Sequence, residues 1–179
     1  MKLALLSILL VLAGLVVRAQ SPANQAQMLD SVMVSTDTTA KSAIDWNQLL
    51  DYASLFLGTP YHYGGSSILG FDCSGFVSYV FNYFGFELPH SSYGMAQLGT
   101  PVKKDELKAG DLVFFNGRRS GGIGHVGLII EAGDQVLKMI HASSSKGVSI
   151  DDINLSDYWR NRYVTARRFF LSATTPASH

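Results

Sequence analysis

The sequence predicts an α+β fold in which N-terminal helices pack on a central antiparallel sheet. Two observations carry this reading. Up to about Leu98, apolar residues recur at helical spacing. After Leu107 they gather into short runs separated by glycine-containing turns. Helices followed by a run of strands mark an α+β arrangement. Composition agrees: 47% of the 179 residues are hydrophobic and 16% charged, which suits one globular domain and not a disordered chain. The formal net charge is zero, and no basic stripe or acidic tail points to nucleic acid.

The N-terminus reads as a targeting segment. Lys2 supplies a positive start, Leu3 to Val17 is apolar, and small residues flank a cleavage point before Gln20. Residues 1–19 are therefore expected to be a signal peptide, too short in its apolar run for a comfortable membrane span. No cysteine lies near that point, so lipid attachment there is not expected. The mature protein is expected to be periplasmic or secreted, without stable membrane insertion, and monomeric. Residues 20–43 form a polar linker, 44–171 the folded domain and 172–179 a tail.

Within the domain, Ser42 is expected to cap a first helix. Trp46, Leu49, Leu50, Ala53, Phe56 and Leu57 trace its apolar face, and Gly58 and Pro60 end it. A tyrosine- and glycine-rich loop, Tyr61-His62-Tyr63-Gly64-Gly65, follows. Asp72-Cys73-Ser74-Gly75-Phe76 then opens a second helix whose apolar face is Phe76, Val77, Val80 and Phe84, stopped at Gly85. Ser91 or Ser92 caps a short helix through Met95 and Leu98, and His90 before it is expected to be solvated or structural. Strands are expected at Leu112–Phe115, His125–Ile130, Val136–Ala142, Gly147–Ile150 and Tyr163–Phe170, with a helical turn at Ser156–Arg160.

The chemistry centres on Cys73, the sole cysteine. Its place in the first turn of a helix is expected to favour the thiolate and lower the thiol pKa, as a nucleophile needs. The competing reading is a small buried hydrophobe. In an oxidising compartment a lone thiol has no internal disulfide partner, which flags it as reactive. His125 opens one strand and His141 nearly closes the next. A hairpin turned at Gly133-Asp134 brings such positions together. Cys73 is then the nucleophile, His125 its base and His141 the group that orients the base. The alternatives are satisfied strand histidines, or a zinc site of Cys73, His125 and His141, which lacks close ligand spacing on any one element. The backbone N–H groups of Cys73 and Ser74, with the Tyr61 hydroxyl, are candidate oxyanion donors. Asp72 has two readings, a helix N-cap and a group that binds a substrate amine.

Six segments in order resemble the NlpC-type cell-wall cysteine peptidases, a branch of the papain-like fold. They are Gly58-Thr59-Pro60-Tyr61-His62-Tyr63-Gly64-Gly65, Asp72-Cys73-Ser74-Gly75-Phe76, Leu88-Pro89-His90-Ser91-Ser92, Gly110-Asp111-Leu112-Val113-Phe114-Phe115, Gly124-His125-Val126-Gly127 and Ile140-His141-Ala142-Ser143. The layout is similar to the small murein endopeptidases of Gram-negative bacteria. The resemblance implies a hydrolase of peptidoglycan stem peptides or cross-links, working through an acyl-enzyme with Cys73, His125 and His141. It implies Tyr61 and Ser74 at the oxyanion, and no metal or organic cofactor. Many relatives are lipoproteins or carry wall-binding modules; neither feature is read here. Two other function classes fit the same residues: an acyltransferase or amidase on a non-wall substrate, and a non-catalytic wall-binding module.

Overall fold

A computed structural model describes residues 45–117 and 121–169, which all fall in one unit spanning Ser42–His179. The expected signal peptide, linker and tail, and Ser42, lie outside the described residues. Helix α1 runs Trp46–Ser54 and its cap is Asp45, whose carboxylate accepts from the Asn47 N–H. The cap therefore falls three residues after the one expected at Ser42, with Asp45 accepting from the first turn as an N-cap does. Leu49 and Ala53 are its buried positions, and Tyr52 stacks on Tyr83 of the next helix at 4.0 Å.

Two-residue strands β1 (Ser66–Ser67) and β2 (Gly70–Phe71) make a small hairpin ahead of helix α2, Cys73–Tyr83. Phe76, Val77, Val80 and Phe81 are wholly buried. Gly85 follows with φ +81°, the left-handed conformation that ends helices. Helix α3, Ser92–Met95, is capped by Ser91.

Six strands make the main sheet: β3 (Thr100–Val102), β4 (Leu112–Asn116), β5 (Ile123–Ala132), β6 (Leu137–Ser143), β7 (Gly147–Asp152) and β8 (Tyr163–Arg168). All pairings are antiparallel, in the order β3-β8-β4-β5-β6-β7. Helix α4, Asp157–Arg160, sits between β7 and β8 with Ser156 as its cap.

The strand period of two sorts residues between the sheet's faces. Leu112, Phe114, Val126, Leu128, Ile140 and Ala142 share a core with α1 and α2. Val113, Phe115, Ile129, Met139 and Ala166 face the other way, where Trp159 of α4 covers them. A bidentate pair between Arg168 and the buried Asp111, both contacts 2.7 Å, ties β8 to the turn before β4. The β5–β6 ladder runs from Ala132↔Leu137 to Leu128↔Ile140 and stops short of Val126. That strand end is where the N-terminus of α2 meets the sheet.

Candidate active site

Asp72 builds the first turn of α2. Its Oδ1 accepts from the Gly75 N–H at 2.7 Å and from the Ser74 hydroxyl at 3.0 Å, and its Oδ2 accepts from the Gly64 N–H at 3.1 Å. His90 Nε2 lies 2.9 Å from the same Oδ1. The cap reading of Asp72 is therefore what the geometry displays, and His90 is a structural partner of that cap.

Cys73 follows directly and is 8% exposed. The backbone N–H dipoles of Val126, Ser74 and Cys73 itself act on its sulfur in the direction that favours the anion. Burial nonetheless wins and pushes the thiol up to about 11. The expectation of a lowered thiol pKa is thus corrected. The helix N-terminus supplies part of a charge, whereas removal from water acts on the whole anion.

The two histidines meet as the hairpin reading expected. His125 Nε2 lies 2.9 Å from His141 Nδ1. His141 is fully buried, and its Nε2 lies 3.1 Å from Asp151 Oδ2. Asp151 also accepts from Trp159 Nε1 at 3.0 Å and from Lys146 Nζ at 2.8 Å. The His141 hydrogen bond, helped by those of Lys146 and Trp159, holds the Asp151 carboxyl well below the usual carboxylate range against the opposing effect of burial.

The hydrogen-bond chain fixes the tautomers. An ionised Asp151 only accepts, so His141 donates from Nε2 and its Nδ1 is an acceptor. His125 then donates from Nε2, which leaves His125 Nδ1 with a free lone pair. Burial, then His141 and Arg162, lower the His125 pKa to about 3, so its ring is neutral near pH 7. Trp159 stacks on that ring at 5.1 Å. A zinc site conflicts with this chain, because both His141 nitrogens are already engaged. Among the described residues no cluster of three His, Cys, Asp or Glu side chains could hold a metal.

Cys73 and His125 line one cleft of about 920 Å³. Tyr61, Tyr158, Trp159, Lys146 and Arg162 are also in its wall. Tyr61 is half-buried, and burial, with Cys73 and Asp72 nearby, raises its pKa, so its hydroxyl is a donor at neutral pH. Ser74 is 6% exposed and contributes its backbone N–H beside the sulfur. Asp151, Trp159 and Arg162 were not singled out from sequence. Arg162 and Trp159 are ordinary residues of a strand start and a helical turn, and Asp151 lies in a strand with no motif of its own.

Residues 58–168 match the NlpC/P60 family. The murein DD-endopeptidase MepS/murein LD-carboxypeptidase of Escherichia coli K12 is 42% identical over 124 residues, which are 68% of this chain and 62% of that protein. The probable endopeptidase NlpC of the same strain is 37% identical over 153 residues, 83% of this chain and 87% of that one. The crystal structure of an NlpC/P60 family protein from Bacillus cereus superposes with a TM-score of 0.65 at 33% identity, covering 72% of this chain and 41% of that one. The shared stretch is thus less than two thirds of the first relative's length. The family match over residues 58–168 takes in helices α2 to α4, the six-stranded sheet and every residue of the cleft named above. The chain belongs to the NlpC/P60 family.

Proposed function

We propose that the protein is a cysteine endopeptidase that hydrolyses peptide bonds in the stem peptides or cross-links of peptidoglycan. The observation that carries it is one cleft holding a helix-borne thiol and an imidazole whose second nitrogen is tied through His141 to a carboxylate. The relatives named for murein endopeptidase activity support the substrate class.

In this reading Cys73 Sγ attacks the scissile carbonyl carbon while its proton passes to His125 Nδ1. A thiol held up to about 11 and a neutral imidazole make the base necessary, since no resting thiolate is available. The oxyanion is met by the backbone N–H groups of Cys73 and Ser74 and by the Tyr61 hydroxyl. The C–N bond breaks, His125 gives its proton to the leaving amine, and a thioester remains on Cys73. Water, deprotonated by His125, attacks that thioester. The C–S bond breaks and the sulfur recovers its proton. His141 orients the base, Asp151 orients His141, and Asp72 positions the helix turn that presents the sulfur.

The leader read at residues 1–19 supports action outside the cytoplasm. The test is product analysis. Purified sacculi digested with the protein are expected to release fragments whose new ends are a free carboxyl and a free amine. Incorporation of an added amine acceptor in place of water would make it an acyltransferase instead.

A further inference from the structure

Arg162 is one of four described cations without an ion-pair partner, with Lys104, Lys108 and Arg167, and of these four it alone lines the cleft. Among the described residues, Lys146 is paired with Asp151, Arg160 with Asp157, Arg168 with Asp111, Lys138 with Glu131 and Lys103 with Glu106. Arg162 lines the same cleft as Cys73 and His125 and has no carboxylate partner among them. One of its terminal nitrogens, Nη2, donates to the Asn116 carbonyl, and its guanidinium carbon lies 4.9 Å over the Tyr158 ring. Both of those residues are also in the cleft wall. The two contacts set the plane of the fork and leave its remaining N–H groups without a protein acceptor among the described residues.

A half-buried guanidinium with no counter-charge is unfavourable on its own. This one also opposes the chemistry, because its field makes His125 a weaker base. A bound anion would remove both penalties at once. A planar fork held by a carbonyl and an aromatic face is suited to a carboxylate, which it can grip through two parallel hydrogen bonds.

We propose that Arg162 is the receptor for a substrate carboxylate beside the scissile bond, so that the cleft selects peptides whose carboxylate is free over those in which it is amidated. This rests on the peptidase reading above and names what that site recognises. Binding would screen Arg162 from His125, so the base is strongest when the right peptide is in place. A stem peptide offers such a group on its D-glutamyl residue or at its C-terminal end; the shared chemistry is the carboxylate, and the test separates the two.

The test compares kcat/KM for the wild-type protein, Arg162→Gln and Arg162→Lys on three versions of one stem peptide. One is the free acid, one is amidated at the D-glutamyl carboxylate, and one is amidated at the C-terminus. In the wild type one of the two amidations is expected to lower kcat/KM about tenfold or more, the scale of a lost charge-assisted hydrogen bond. Arg162→Gln should bring that ratio close to one, and Arg162→Lys should keep part of it. Because each ratio is taken on a single enzyme sample, partial misfolding of a variant cancels. With the opposing charge gone, the acid limb of the Arg162→Gln pH profile should also move to higher pH. A wild type indifferent to both amidations, or the same ratio in Arg162→Gln, overturns the proposal while leaving a peptidase. No cleavage that depends on Cys73 on any of the three peptides overturns the peptidase reading and this inference with it.

Discussion

His141, with no exposed surface, donates its Nε2 proton to Asp151 Oδ2 at 3.1 Å. That single contact sets the protonation of two rings in series, because it leaves His141 Nδ1 to accept from His125. Asp151 therefore belongs to the proposed catalytic apparatus although it never touches the sulfur. Asp151→Ala should lower kcat on a defined muropeptide roughly 100-fold, less than the loss seen when a carboxylate directly bound to a catalytic histidine is changed. Asp151→Asn keeps one acceptor and should lose less. Equal steady-state rates for the wild type and Asp151→Ala would remove Asp151 from the account.

The thiol carries a pH prediction. Burial pushes Cys73 up to about 11. Alkylation by iodoacetamide should then be slow at pH 7 and rise about tenfold per pH unit, because only the thiolate reacts. The rate should level off near pH 11, well above the level for a free cysteine. A fast reaction at pH 7 that is already on its plateau would mean a resting thiolate, and His125 would then be an imidazolium and not a neutral base.

Gly75 shows how the loop and helix are locked together. A Cβ placed there would run into the Gly65 carbonyl oxygen and come within 2.8 Å of His90 Nε2. Gly65 in turn accepts from the Asp72 N–H at 2.9 Å. Gly75→Ala should therefore destabilise the protein by about 1–3 kcal/mol, the range for an overpacked core, despite alanine's better helix propensity. Urea unfolding measures this. A midpoint equal to or above the wild type would show that the loop gives way freely.

Much of this was legible in the sequence, and the limits are physical. The α2 face and its stop at Gly85 were readable because helical periodicity and a positive-φ glycine are local properties. The His125–His141 meeting was readable because an antiparallel hairpin has one register that buries the correct faces. Strand β3 was not anticipated: Thr100 and Pro101 are exposed and the segment has no alternating apolar pattern. The insertion of β8 between β3 and β4 is a long-range pairing that no local signal encodes. Asp151 was passed over for the same reason, since its importance comes from where Trp159 and His141 arrive in space. The thiol was misjudged because the dipole of a helix can be read from position, whereas the depth of burial of Cys73 depends on the packing of Val126 and Tyr61 around it.

The most direct test of the central claim is digestion of purified sacculi by the wild-type protein and Cys73→Ala side by side, with thermal melting to show that both are folded. Cys73 accounts for all bond cleavage in this mechanism, so the variant should melt near the wild-type temperature and release no soluble peptide above background. Release at the wild-type rate by folded Cys73→Ala would contradict a sulfur nucleophile outright.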